Sequence, residues 1–254
     1  MPRTDPAIAF EPVEWGPAVV AGFTGRLAGV SGPPYNGNLA THVGDDAGRV
    51  DANRSALARA LGARRIAFMR QVHGSAVAVV GGGPAPGDNP PEADSTEPEA
   101  DALVTAEHGL ALAVLVADCV PVLLSDPVAG VVAAVHAGRK GVALDVVARA
   151  VATMRSLGAE PGRLRAVLGP SICGGCYPLG EPARSQVLAV APAAAATART
   201  GEPSVDLRMG LLARLAALGV TAEVVGPCTA ESSHHFSYRR EPVTGRTAGL
   251  VMLR

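Results

Sequence analysis

The chain has 254 residues, with 22 lysines and arginines against 23 aspartates and glutamates, for a formal net charge of −1. That length supports a sizeable core, and the near-neutral balance argues against nucleic acid as the main partner, because neutralising phosphates takes a basic excess. The longest apolar run, Gly109–Ala117, ends after nine residues, far short of a bilayer span, and the N-terminal MPRTDPAIAFEPVEWGP lacks the apolar stretch of a secretory signal.

The expectation is therefore a soluble cytoplasmic protein with no membrane partner. No Pro/Ser-rich linker separates two periodic halves, so residues 1–254 read as a single domain. Four cysteines (Cys119, Cys173, Cys176, Cys228) are too few for a disulfide framework in a chain this long, and a cytosolic setting favours thiols or metal ligands.

Taken in order, Ala18–Thr24 reads as a first strand and Arg26–Leu39 as a loop rich in turn residues. Asp51–Leu61 has helical composition and stops at Gly62. Ile66–Met69 and Ala76–Val80 read as strands on either side of Gln71-Val72-His73-Gly74. Gly81–Ala100 holds glycine, proline and acids without a basic residue and reads as a mobile surface loop. Leu110–Val116 and Val120–Leu124 are strands around Asp118-Cys119, where Pro121 suggests a bulge or an edge position.

Val131–Gly141, VVAAVHAGRKG, reads as a buried strand ending in His136 and a Gly-rich turn, followed by a helix from about Val142 to Leu157. Leu164–Leu168 is another strand, and Glu181–Thr200 an Ala-rich helix broken at Pro192. Leu207–Leu218 is an amphipathic helix stopped by Gly219. Ala222–Val225 and Gly249–Leu253 complete the strands. Interleaved helices and strands, some strands consecutive, predict a mixed-sheet α/β or α+β fold.

Chemistry concentrates at strand ends. His73, Cys119 and His136 form a borderline-soft donor set that suits zinc, and three protein ligands leave a fourth position open, as in catalytic sites. Their separations match no short metal motif, and two core-edge histidines with one buried cysteine is the plainer reading. At the His136 turn, a helix N-terminus together with Arg139 and Lys140 favours an anion. Cys173-x-x-Cys176 lacks the second pair of a zinc knuckle and reads as free or occasionally oxidised thiols. Arg239, Arg240 and Arg246 suit either a phosphate clamp or a solvated basic face.

The motifs FTGRLAGVSGPPY, NLATHVGDD, NRSALA, QVHG, ADALVT, ADCVPVLL, AAVHAGRKG, GPSICGGCY, CT, FSYRR and TGR resemble, in order and across nearly the whole chain, the multicopper polyphenol oxidase or laccase-domain family. That family includes purine nucleoside phosphorylases that also deaminate adenosine, and it overlaps peptidoglycan editing factors. The resemblance implies one zinc on His73, Cys119 and His136, and mixed sheets packed as a sandwich with helices outside. It also implies a substrate pocket near Arg26, Asn38, Arg139 and Lys140. Two departures stand out: Arg139 and Lys140 occupy positions where tryptophan and arginine are usual, and Pro178-Leu179 replaces a common Glu-Val.

A multicopper oxidase needs roughly ten imidazoles by the usual arrangement, and six histidines fall short, so copper ranks below zinc. The function expected is zinc-dependent phosphorolysis of purine nucleosides with phosphate as co-substrate, together with adenosine deamination. Asp118 beside Cys119 is the candidate proton carrier, and Arg240 joins the anion-binding set. Hydrolysis of a cell-wall precursor and a non-catalytic role in cell division are the alternatives. The chain is expected to be a monomer or homodimer.

Overall fold

The computed structural model describes residues 8–81 and 97–254, so most of the expected Gly81–Ala100 loop lies outside them. In chain order the elements are β1 (Ile8–Val13), β2 (Val19–Ala28), α1 (Ala47–Leu61), β3 (Arg65–Ala67), β4 (Val77–Val79), β5 (Ala102–Thr105), β6 (Leu110–Val116), β7 (Val120–Asp126), β8 (Val131–Ala137), α2 (Arg139–Ala143) and α3 (Val146–Ser156). They continue with β9 (Arg165–Leu168), α4 (Ala183–Val190), β10 (Ala195–Thr197), β11 (Pro203–Val205), α5 (Leu207–Ala217), β12 (Thr221–Val224) and β13 (Thr247–Leu253). Two mixed sheets, ordered β1-β2-β13-β6-β3 and β12-β9-β7-β8-β5-β4, pack face to face with helices outside, and β10-β11 forms a separate hairpin. The expected mixed α+β sandwich is the fold observed.

Side-chain parity explains the layers, since successive residues of a strand point to opposite faces. In β6, Leu110, Leu112, Val114 and Val116 face the sandwich interior, meeting Phe23, Leu123, Val132, Ala134 and Val251. Ala113 and Leu115 of β6 point the other way, onto Leu57 of α1. In β8, Val131, Ala133, Val135 and Ala137 pack against Val147, Ala150, Val151 and Met154 of α3. Every residue of β6, β7, β8 and β13 is buried. Two-sided burial is the reason these strands read as unbroken apolar runs, each fully buried Leu or Val contributing about 1.5–3 kcal/mol over its exposed state. By the same parity His136 shares the inner face with Val132 and Ala134, at the strand end where the sandwich opens.

Several expectations are corrected. The helix expected from Val142 to Leu157 is two helices, because Asp145 adopts a left-handed φ of 57° between them and its carboxylate takes two 3.0 Å bonds from Arg214 Nε of α5. Arg26–Ala28 extend β2 rather than opening a loop, with Ala28 paired to Ile8; β1 itself, partly exposed and interrupted by Glu11 and Pro12, was not read as a strand. In Glu181–Thr200 the helix ends at Val190, and Ala195–Thr197 pairs with Pro203–Val205: sheet pairing overrides alanine's helix preference once Pro192 has broken the helix.

Pro121 lies in a central strand, neither at an edge nor in a bulge. Its carbonyl accepts from Gly169 N–H, so its nitrogen faces the same way, beyond the Val122–Leu168 pair where the β7–β9 ladder begins. Proline forgoes the reciprocal N–H bond to Gly169, and Gly169 O accepts from Ser171 Oγ at 3.1 Å instead.

Candidate metal centre and cavity

Two chain segments cross from one sheet to the other at the same end of the sandwich. One joins β3 to β4 and carries Val72, His73 and Gly74; the other joins β6 to β7 and carries Asp118 and Cys119. Among the described residues only four non-glycines have positive φ, and two of them are His73 (58°) and Asp118 (91°) at these corners. Backbone held in that region is costly and persists where the surroundings over-determine it.

At the first corner the agent is Asp101, fully buried just before β5. Its Oδ1 accepts from His73 N–H at 2.9 Å, and its Oδ2 from Gly74 N–H at 2.6 Å and Val72 N–H at 3.4 Å. At the second corner Asp118 Oδ1 accepts from Thr229 Oγ1 at 2.6 Å and Oδ2 from Arg239 N–H at 2.7 Å.

Asp101 also bonds His136 Nδ1 at 2.7 Å, which leaves Nε2 for the cavity. The ligand atoms of His73, Cys119 and His136 all lie within 4.8 Å of one another. Cys119 Sγ is 3.9 Å from His73 Nε2, and the two imidazoles meet edge to face with centroids 4.7 Å apart. Gly138 makes this possible: a Cβ there would lie 2.9 Å from Cys119 Sγ and 3.1 Å from His73 Cδ2.

The electrostatics suit a metal. Burial works to raise the Cys119 thiol pKa, but the His136 charge and hydrogen bonds from both imidazoles outweigh it and bring it down. Burial works to lower His136, while the Cys119 thiolate and the Asp101 carboxylate drive it up. Burial likewise opposes ionisation of Asp101, and bonds from His136, Gly74 and Val72 hold it below the usual carboxylate range. A thiolate is the form that binds metal, and a carboxylate behind a histidine fixes its ring and raises its basicity. Thiolate plus two imidazoles with one open side fits zinc. All six histidines are described, and among the described residues no metal-competent group gathers more than two imidazoles, which a multicopper site would exceed.

The cluster opens into a cavity of about 570 Å³ that is also lined by Asp118, Arg139, Lys140, Arg239, Arg246, Gln71, His42, Tyr177 and Tyr238, a volume suited to a small-molecule ligand. Arg239 lies 5.0 Å over the Tyr177 ring. Arg139 and Lys140 reach the cavity from α2, which has five residues and is too short for the strong dipole expected of a long helix.

The other expected binding residues lie elsewhere. Arg26 pairs with Glu241 at 3.1 Å and stacks on Phe236. Arg240 donates to Thr229 O, Ser232 O and His235 O. Asn38 is fully buried, holding Ala40 O, Asp45 Oδ2 and Arg246 N–H. None of the three lines the His73–Cys119–His136 cavity; Arg26 and Arg240 instead line a separate cavity of about 580 Å³ with Glu231 and Glu241. Sequence reasoning missed Asp101 as a site residue, although it stands in the ADALVT motif directly before the buried strand Ala102–Thr105, and it missed Gln71, His42, Tyr177 and Tyr238 as lining groups.

Residues 20–254 match the family model described as multi-copper polyphenol oxidoreductase laccase. The chain is 52% identical over 236 residues to purine nucleoside phosphorylase SCO2081 of Streptomyces coelicolor, covering 91% of this chain and 94% of that one. It is 51% identical to purine nucleoside phosphorylase ORF3 of Streptomyces griseus, covering 91% and 93%. The crystal structure of YlmD from Geobacillus stearothermophilus superposes with a TM-score of 0.85 at 29% identity, over 97% of this chain and 99% of that one. No described helix is long and apolar enough to cross a membrane. Sequence and fold thus agree across more than nine-tenths of the chain, which belongs to the multi-copper polyphenol oxidoreductase laccase family, whose members include proteins named purine nucleoside phosphorylase.

Proposed function

We propose that the protein is a zinc-dependent purine nucleoside phosphorylase acting on adenosine, inosine and related nucleosides, with inorganic phosphate as co-substrate. The observation that carries the reading is the three-ligand His73–Cys119–His136 cluster opening onto a cavity lined by four cations; the names of its relatives support it. A zinc ion held there supplies Lewis acidity at neutral pH. Arg139, Lys140, Arg239 and Arg246 bind phosphate, the guanidinium forks being suited to two of its oxygens at once. A phosphate oxygen then attacks ribose C1′ while the C1′–N9 bond breaks, the electron pair leaving with the purine, which takes up a proton. Tyr177 and Tyr238 are the aromatic rings at the cavity available to the base. Asp101 acts as a positioning residue through His73 and His136.

Adenosine deamination in the same cavity is the second activity we assign, at a lower rate. A zinc deaminase uses a free carboxylate to move protons, and Asp118, the one carboxylate lining the cavity among the described residues, has both oxygens engaged by Thr229 and Arg239. We therefore assign Asp118 to shaping the Cys119 corner. Zinc-loaded protein incubated with adenosine tests both activities: phosphate-dependent adenine with ribose 1-phosphate establishes phosphorolysis, and inosine without phosphate establishes deamination. Neither product from zinc-loaded protein overturns the proposal and turns attention to cell-wall precursor peptides.

A further inference from the structure

A second group of metal-ligating side chains lies outside the cavity. Cys173 precedes and Cys176 ends a single 3-10 turn, Gly174–Cys176, in the segment after β9, and Cys228 and Glu231 lie on one turn after β12, with Glu231 N–H bonded to Cys228 O at 3.1 Å. Their four ligand atoms fall within 4.8 Å of one another, and the three sulfurs are unpaired. Two sulfurs on one zinc, each at about 2.3 Å, stand just under 4 Å apart, so the observed spread needs only a small contraction.

The surroundings are built for this arrangement. Cys173 N–H donates to Cys228 Sγ at 3.3 Å, a bond that a thiolate accepts better than a thiol. Arg199 donates from Nη1 to Cys176 Sγ at 3.3 Å and also pairs with Glu231. Three thiolates and a carboxylate around a divalent ion carry an excess of two negative charges, and Arg199 offsets one. A Cβ at Gly174 would lie 2.9 Å from Asp206 Cβ and 3.0 Å from Ala196 Cβ, so the tight turn between the two cysteines needs glycine there.

We propose that Cys173, Cys176, Cys228 and Glu231 form a second, closed metal site for zinc, with a structural role and ligands separate from the His73–Cys119–His136 centre. Soft thiolates select zinc over hard cations, and four protein ligands leave no position for substrate. The ion staples two parts of the cavity wall. Ile172 and Tyr177 border the cysteine turn and line the cavity, and Thr229, inside the second turn, holds Asp118.

The test begins with a His73→Ala/Cys119→Ser chain, which lacks the first centre, purified from zinc-supplemented medium. We expect about one zinc per chain, and none once Cys173→Ser and Cys228→Ser are added. A background chain without zinc, or zinc retained after both cysteines are replaced, overturns the proposal. Should the fourfold variant fail to fold, thiol titration of the background chain decides. The three remaining thiols should resist reagent until a chelator strips the ion and then all react. Immediate reaction before chelation, or only one reactive thiol in denaturant without reductant, which marks a disulfide, refutes the site.

Discussion

Asp101→Asn isolates the residue that joins two of the candidate ligands. The change preserves shape but removes the charge and turns one carboxylate oxygen into an amide. If the remaining oxygen keeps His73 N–H and His136 Nδ1, the new NH2 faces Gly74 and Val72 N–H, both donors, where Oδ2 had accepted at 2.6 and 3.4 Å. One strong charge-assisted bond is lost, worth about 1.5–3 kcal/mol, and a buried donor is left unsatisfied at about 1–3 kcal/mol. The two add to roughly 2.5–6 kcal/mol, a large share of the roughly 5–15 kcal/mol of an ordinary domain. Separately, His136 loses the carboxylate that fixes its ring, and loss of such a partner typically weakens metal binding 10–100-fold. Urea unfolding of the zinc-free protein reads the first effect and chelator competition reads the second. Unchanged zinc affinity in a destabilised variant would refute the positioning role, leaving Asp101 as a fold-stabilising residue alone.

Gly138 has an ordinary φ of −77°, so Gly138→Ala strains no backbone and acts only through the Cβ that would meet Cys119 Sγ at 2.9 Å; zinc affinity measured by competition should fall at least tenfold while thermal stability of the zinc-free protein changes little. Lys140→Ala should raise the phosphate KM several-fold with kcat at saturating phosphate nearly unchanged, a pattern that marks lost ground-state binding and is read from initial rates. The third test is of acid stability. Asp126 is fully buried, and although burial opposes ionisation, Glu160 N–H, Ala129 N–H and Arg163 hold its pKa below the ordinary 3.8. A depressed carboxylate contributes stability above its unfolded pKa and loses it as pH falls through the lower folded value. Asp126→Asn should therefore be less stable at pH 7 by about 2–3 kcal/mol, and the gap to wild type should narrow below pH 4 in denaturant titrations.

The fold was legible wherever burial is two-sided: Leu110–Val116 runs as an unbroken apolar strand, and the observed β6 has the same bounds. It was illegible where local preference and tertiary pairing disagree, as in Ala195–Thr197, alanine-rich yet a strand. The candidate ligands could be named by residue type, but their separations along the chain carry no information, because the distance between His73 and Cys119 is set by two sheet crossings. Cys173-x-x-Cys176 has no partner nearby in sequence for the same reason: Cys228 and Glu231 reach it through the pairing of β9 with β12. Arg239 and Arg240 are neighbours in sequence with opposite fates. Asp118 fixes the Arg239 backbone at the cavity, while the Arg240 guanidinium turns inward to three carbonyls.

The position of the centre follows from how the two sheets are connected. A chain leaving β6 in one sheet must enter β7 in the other within Ala117–Cys119, and the chain leaving β3 makes the equivalent passage before β4. Both crossings, three residues long in one case and nine in the other, carry left-handed backbone, at Asp118 and His73, which side chains with a Cβ adopt only under compensation. The compensation is polar and buried: Asp101 supplies it at one corner, and Thr229 with Arg239 N–H at the other. The acceptor that makes the first corner tolerable is also the one that orients His136, so tightening the fold and aiming the imidazole are a single requirement. That coupling explains how a cluster drawn from two sheet crossings and one strand end holds its ligand atoms within 4.8 Å of one another, with Gly138 leaving room for Cys119 and His73.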